Sequence, residues 1–279
     1  MAITDASAAE PILTLEGVSV RFGGVRALSG IDLTLRRGEL LGLIGPNGAG
    51  KTTLLNLISG AAAPTTGTIH FNGQPIVGLS PDRLCHLGIS RTFQNIRLFP
   101  KMTVFENVAL GMHARPHYSL ADALFCSPRA LRAEARTVER VHALLDRVGL
   151  MAARDKHAGD LPYGMQRRLE LVRAMATDPQ LLLLDEPAAG MNEDECEQLT
   201  RLIRGIHEEF GYSIIMIEHH IKVVMELCRT HRIYVLNLGE ILASGTPKEI
   251  QSDPNVITAY LGEKRENHGR TRRQLSRSH

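Results

Sequence analysis

Gly45-Pro46-Asn47-Gly48-Ala49-Gly50-Lys51-Thr52-Thr53 decides how the rest of this 279-residue chain is read. It matches G-x-x-x-x-G-K-[ST], in which glycines let backbone N–H groups wrap a di- or triphosphate, a lysine reaches the outer phosphates and a hydroxyl binds Mg²⁺. The apolar run Leu40-Leu41-Gly42-Leu43-Ile44 before it predicts a buried strand. Leu54, Leu55 and Ile58 after it predict a helix that stops at Gly60. The competing reading is a plain glycine-rich turn, and the flanking strand and helix argue against it.

Working outward, Leu13, Leu15 and Val18 predict a strand over 12–20, and strict alternation predicts another over Ile31–Leu35. Between them Phe22, beside Gly23-Gly24, puts an aromatic ring on a turn, where it can stack on a purine or simply fill the surface. Thr68-Ile69-His70-Phe71 leads into the hairpin signal Asn72-Gly73. Residues 88–93 read as a short strand ending at Gln94, 97–106 as a proline-containing loop, and 113–128 shows no clean period. Val141, Leu144, Leu145 and Val148 give one apolar helix face within 139–150. Leu161-Pro162-Tyr163-Gly164-Met165-Gln166 reads as a turn opening a helix, which ends at Asp178-Pro179.

Leu181-Leu182-Leu183-Leu184 then runs into Asp185-Glu186-Pro187, a buried strand delivering two acids at its C-terminal end. An unpartnered buried carboxylate is strongly disfavoured, so a cation is expected there. A helix over Glu193–Phe210 and the strand Ser213–Ile217 follow, the strand ending at Glu218-His219-His220. A hairpin is expected over His231–Gly245, with short helices from Pro247 to Leu261. Strands alternating with helices and ending in polar residues indicate an α/β parallel sheet with its site at the strand C-termini.

Composition sets limits on this reading. The net charge of +2 rests on the tail, where 264–279 holds six Lys/Arg against Glu266 alone, leaving about −3 for the rest. Trp is absent and Phe and Tyr are few, so base-stacking platforms are not indicated and no nucleic acid is expected as a partner. The cysteines at 85, 126, 196 and 228 show no C-x-x-C spacing, and no signal-peptide pattern opens the chain, so a reducing, cytoplasmic setting is expected. No apolar run approaches about 18 residues, so a membrane role has to come through a partner. His219 and His220 have no Cys/His cluster to complete a ligand set.

The ordered set Phe22, Gly45–Thr53, Gln94, Leu161–Gln166, Asp185-Glu186 and His219 resembles the ATP-binding subunit of ABC transporters, over residues 11–262. The resemblance implies a P-loop NTPase (RecA-like) parallel sheet core with an antiparallel β subdomain and an inserted α-helical lobe. The core would occupy 11–95 and 164–262 and the lobe 96–163, with flexible termini at 1–10 and 263–279. It also implies ATP and Mg²⁺ as cofactors. Phe22 would stack on adenine, and Gly45, Pro46, Asn47, Gly48, Ala49, Gly50, Lys51, Thr52 and Thr53 would hold the phosphates. Thr52, Gln94 and Asp185 would support the metal. Glu186 would be the general base of ATP hydrolysis, with Lys51, Gln94 and His219 on the γ-phosphate, an arrangement that phosphoryl transfer to water requires. Leu161, Pro162, Tyr163, Gly164, Met165 and Gln166 form the signature turn, which acts on a partner cassette's ATP.

Arg91–Phe99, Tyr163-Gly164 with Gln166–Glu170, Asp185–Asn192 and Ala259-Tyr260-Leu261-Gly262 further resemble the branched-chain amino-acid uptake branch of that family. That likeness implies an importer ATPase at the cytoplasmic face of the inner membrane. Its partners would be a second ATP-binding subunit, two integral membrane permeases and a solute-binding protein. Importers of urea and short amides share much of this pattern, and soluble ABC ATPases are the other class. The latter usually carry two cassettes or a long coiled coil, and neither is present here. Ile96, Leu98 and Phe99 would line a permease-docking groove, or else belong to the lobe's core. Three departures stand out. The usual L-S-G-G-Q reads Leu161-Pro162-Tyr163-Gly164-Met165, an expected aspartate is Asn192, and His220 follows the switch histidine where Asp is common. Pro162 has neither the serine hydroxyl nor an N–H, which implies an asymmetric heterodimer whose complete site is the one on this chain's own P-loop.

Overall fold

The computed structural model describes residues 10–112 and 127–260. In chain order the elements are β1 (Pro11–Phe22), β2 (Val25–Arg36), β3 (Leu40–Ile44), α1 (Lys51–Ile58), β4 (Thr66–Phe71), β5 (Gln74–Pro75), α2 (Pro81–Leu87) and β6 (Ile89–Arg91). Then come α3 (Val104–Met112), α4 (Pro128–Arg147), α5 (Tyr163–Met175), β7 (Leu181–Asp185), α6 (Glu193–Phe210) and β8 (Ser213–Ile217). The last are α7 (Ile221–Leu227), β9 (Ile233–Asn237), β10 (Glu240–Gly245) and α8 (Pro247–Ser252). They divide into two compact units, one within Met1–Gly78 and Ile215–His279, the other within Leu79–Ile214.

In the first unit an antiparallel sheet runs in the order β2-β1-β4-β5. Its apolar alternation places Leu13, Leu15, Val18, Val20, Ile31, Leu33 and Leu35 inside, each at most 2% exposed. β1 and β2 extend well past the alternating windows, because register shifts between Leu15 and Arg21 break the period without ending the pairing. Phe22 pairs with Val25 across Gly23-Gly24, so it ends a strand and the turn begins after it. β3 pairs in parallel with β9, and β10 joins β9 antiparallel. A Cβ on Gly42 of β3 would meet Val224 Cγ1 at 2.8 Å and Cys228 Sγ at 2.9 Å, so glycine there lets α7 lie directly on the strand. Arg232 grips Glu39 through two bonds, Nε–Oε1 at 2.7 Å and Nη2–Oε2 at 2.9 Å, and donates to Thr34 O at 2.8 Å. This fixes the turn before β3 against the start of β9.

In the second unit β6 and β7 are parallel neighbours, Ile89 opposite Leu181 and Arg91 opposite Leu183. β6 is shorter than the 88–93 expected from sequence: Gly88 caps α2 with φ 108°, and the chain leaves the strand after Arg91. α2 itself carries no clear apolar period and is set by Pro81 at its first turn and by that glycine. The loop expected over 97–106 is cut short by α3, which begins at Val104. Its signal is a capping box: Thr103 N–H donates to Glu106 Oε2 at 2.7 Å, and Glu106 N–H to Thr103 Oγ1 at 3.1 Å. Asn107, fully buried, accepts from Phe99 N–H and donates to the carbonyls of Phe99 and Thr103, pinning 99–103 onto α3. Gly111 allows α3 to approach α5, since a Cβ there would lie 2.6 Å from Arg173 O.

The helix read over 139–150 corresponds to the last part of the longer α4, which buries Val141, Leu144 and Leu145 but ends at Arg147, so the buried Val148 lies in the turn after it. The expected lobe 96–163 lies inside this unit, which also contains β6, β7 and α6. Most of 113–128, the termini and the basic tail lie outside the described residues.

Candidate functional site

In the first unit β3 delivers the glycine loop as its apolar run stops at Ile44. Gly45 has φ 150°, Gly48 76° and Gly50 104°. A Cβ on Gly45 would fall 2.0 Å from Leu236 O, and one on Gly50 2.6 Å from Leu28 Cδ2, so the loop's path requires both glycines. Ala49, 2% exposed, anchors the loop: its carbonyl accepts from Gly239 N–H at 3.0 Å, and its N–H donates to Pro46 O at 3.2 Å. Pro46 is half-buried, while Asn47 and Gly48 face solvent.

Lys51, 6% exposed, opens α1 and donates to Gly45 O at 2.6 Å and Pro46 O at 2.9 Å. Its ammonium therefore spans the mouth of the loop, where outer phosphates would sit. Thr52 and Thr53 fall in the first turn of α1, with Thr52 exposed. A helix N-terminus preceded by glycines presents N–H groups and a partial positive charge to an anion. Phe22 is 55% exposed, as a stacking ring requires. His219 is exposed, and its N–H donates to Glu218 Oε2 at 3.1 Å, as does that of His220 at 3.4 Å. Glu218, 2% exposed, is thus a buried carboxylate that orders the backbone of the histidine pair.

In the second unit β7 ends in Asp185, whose side chain is 3% exposed. Its Oδ2 accepts from Arg91 Nη2 at 2.8 Å, while Oδ1 is buried with no hydrogen-bond partner. An orphaned carboxylate oxygen fits a metal-supporting role, because a buried acceptor without a partner is disfavoured until a cation or water reaches it. Glu186 follows with φ 49°, a left-handed backbone that a non-glycine residue adopts only under tertiary constraint. Its Oε2 accepts from Gln94 Nε2 at 2.9 Å. Sequence reasoning placed these two 92 positions apart, and the fold brings them into contact.

In the signature segment only Leu161 and Pro162 precede the helix. Tyr163, Gly164, Met165 and Gln166 form the first turn of α5, a shorter non-helical stretch than expected. Pro162 is the N-cap, and its carbonyl accepts from Met165 and Gln166 N–H at 2.9 and 3.0 Å. Gln166 Nε2 donates back to Leu161 O at 2.8 Å. Asn192 caps α6: its side chain accepts from Glu195 N–H at 2.9 Å while Glu195 Oε2 accepts from Asn192 N–H at 3.1 Å. Phe99 is exposed, whereas Ile96 and Leu98 are half-buried.

Sequence reasoning gave no role to Arg91, Arg167, Glu170 or Glu218, all of which sit against the predicted residues. For Arg167 and Glu170 a signal existed: two opposite charges three apart on a helix that otherwise buries Leu169 and Val172. Arg91 and Glu218 gave none, since their importance lies in pairings that spacing does not reveal.

Among known proteins, residues 28–189 match the family profile described as ABC transporter, and residues 240–266 that described as Branched-chain amino acid ATP-binding cassette transporter. The chain is 43% identical to the high-affinity branched-chain amino acid transport ATP-binding protein LivG of Escherichia coli (strain K12), over 91% of this chain and 99% of that one. It is 42% identical to the corresponding BraF protein of Pseudomonas aeruginosa, over 91% and 98%. The ADP conformation of MJ1267, an ATP-binding cassette of an ABC transporter, superposes with a TM-score of 0.77 at 30% identity, covering 91% of this chain and 99% of that one. A P-loop NTPase core with a full-length match to these cassettes leaves one conclusion: the chain belongs to the ABC transporter ATP-binding family and is an ATPase subunit of that kind.

Proposed function

We propose that this chain binds and hydrolyses ATP to drive uptake of branched-chain amino acids through partner permeases. The observation that supports this reading is the identity to LivG over 99% of its length, joined to the separate match at 240–266, beyond the stretch 28–189 that matches the general cassette profile. The chain would act at the cytoplasmic face of the membrane. Among the described residues no helix is long and apolar enough to cross a bilayer, so the crossing would fall to two permease subunits fed by a solute-binding protein.

Toward ATP, the backbone N–H groups of 45–53 and Lys51 would hold the phosphates and Phe22 the adenine ring. Thr52, Gln94 and Asp185 would hold Mg²⁺, which when bound neutralises charge building on the phosphates. Glu186 would take a proton from the attacking water. In the present geometry one of its oxygens is engaged by Gln94, so the amide has to release or share it as water is oriented. His219, on a backbone ordered by Glu218, would meet the γ-phosphate.

The signature turn, with Pro162 in place of the usual serine, would serve a second cassette's ATP poorly, so the assembly is read as a heterodimer with one strong site. The test is reconstitution of the co-purified subunits in vesicles. ATP-dependent leucine uptake is expected, and uptake of urea but not leucine would overturn the cargo. Glu186→Gln should abolish turnover at one site. Equal loss at both, or full ATPase rate from this chain alone as a homodimer, would overturn the asymmetric assembly.

A further inference from the structure

Tyr163, Arg167 and Glu170 are spaced four and three residues apart, along one side of the first two turns of α5. That side carries charge into the interior, with the Arg167 and Glu170 side chains 4% and 3% exposed. A buried ion pair is a poor stabilising device by itself, because desolvation offsets the attraction. Its hydrogen bonds show what it holds instead.

All five guanidinium N–H groups are used. Nε donates to the Tyr163 hydroxyl at 3.1 Å, Nη1 to Phe93 O at 2.9 Å and Glu170 Oε2 at 3.2 Å, and Nη2 to Gln94 O at 2.5 Å and the Tyr163 hydroxyl at 2.9 Å. The hydroxyl, having accepted twice, donates its own hydrogen to Ala189 O at 2.9 Å, which fills its capacity. Glu170 Oε1 accepts from Phe93 N–H at 3.2 Å, and the N–H of Arg97 bonds to the same carboxylate, so Glu170 brackets 94–96. Burial pushes the Glu170 carboxyl up, and the Phe93 N–H and Arg167 partly oppose that shift. The Tyr163 ring lies against Gly190, where a Cβ would come within 3.4 Å of ring carbon.

Three segments meet in this way: the one bearing Gln94, the signature turn, and residues 189–190 just after Glu186. We propose that Tyr163, Arg167 and Glu170 are positioning residues that lock Gln94 and Glu186 to the signature turn, so that nucleotide docking on that turn resets this chain's own γ-phosphate sensor and base. The inference rests on the roles proposed above for Gln94, Glu186 and the turn. A fully satisfied polar network has no slack: a shift of α5's first turn breaks bonds at Phe93, Gln94 and Ala189 together. Because Arg167 reaches Phe93 and Gln94 through their carbonyls rather than their side chains, the link to that segment acts on backbone position.

Two conservative variants test it. Tyr163→Phe keeps the ring and removes the hydroxyl, and Arg167→Lys keeps the charge with at most three donors. In the full chain, amide exchange over 93–97 should rise about tenfold in either variant, with 45–53 unchanged. In the assembled transporter, ATP turnover should fall about tenfold at unchanged nucleotide affinity, and Tyr163→Phe should add nothing in a Gln94→Ala background. Unchanged exchange over 93–97 overturns the inference, as does a loss that multiplies with that of Gln94→Ala. A wild-type assembly without ATP turnover sinks the functional reading and the coupling with it, whereas failure of these variants beside an active wild type sinks the inference alone.

Discussion

The two units hold the residues proposed for ATP turnover by opposite means. In the first, the phosphate cradle is made of backbone: glycines in left-handed conformations, an alanine anchored by main-chain bonds, and one lysine. In the second, the segment bearing Gln94 is fixed to the signature turn by the buried side chains of Arg167 and Glu170, whose bonds to Phe93 and Gln94 span 73 to 77 residues. A backbone cradle tolerates change outside it but no Cβ at Gly45 or Gly50. A side-chain lattice tolerates backbone variation but not the loss of one member.

The sharpest way to break the comparison is to damage each unit once. Arg167→Ala leaves Glu170 buried without its cation, and loss of one partner of such a pair destabilises by about 3–5 kcal/mol. Denaturant unfolding of the full chain measures it, and a loss under about 1 kcal/mol would mean that water enters and solvates Glu170. Gly45→Ala drives a Cβ onto Leu236 O and should destabilise by about 3 kcal/mol while abolishing nucleotide binding. Fluorescent-nucleotide titration separates the two units here, because Arg167→Ala should retain binding wherever it remains folded.

A pH scan sharpens the contrast further. Burial pushes the Cys228 thiol of the first unit up to about 12, and the Tyr212 hydroxyl of the second also up to about 12. Both groups favour the neutral form when folded, so their contribution is complete below the unfolded pKa values. It is lost as pH rises, from about 8.5 for the cysteine and about 10 for the tyrosine. Melting temperature should therefore fall through this alkaline window, and Cys228→Ala should remove the earlier part of the fall.

The smallest effect belongs to Asn192. Asn192→Ala removes the cap of α6 and should lower stability by about 1 kcal/mol. Asn192→Asp keeps the cap but sets a fourth acid beside Glu193, Asp194 and Glu195, so its gain from the helix dipole should stay within about 0.5 kcal/mol. Thermal melts distinguish the two.

These differences explain what the sequence allowed to be read. The glycine loop from Gly45 to Gly50 was legible as a strand-to-helix connection because its path depends on small residues at fixed spacing. β3, α6 and β8 were legible to the residue, since a buried run or a helical period bounded by caps needs no distant information. The start of α3 was not, because its apolar content overlaps a proline loop and its cap, Thr103 with Glu106, is only two residues strong. The lattice around Arg167 was legible only in its helical spacing to Tyr163 and Glu170, because nothing local marks that its other donors reach Phe93 and Gln94. Arg91 is the same case: its pairing with Asp185 follows from the parallel register of β6 and β7.

One backbone angle has a consequence for the history of such a chain. With φ at 49°, Glu186 occupies a conformation in which glycine would be more comfortable by about 1 kcal/mol or more. On the role proposed above for Glu186, selection for a durable fold and selection for turnover pull in opposite directions at this position. Drift in a chain relieved of its transport duty should therefore favour loss of the carboxylate here early, and a surviving glutamate on a left-handed turn marks a cassette still at work.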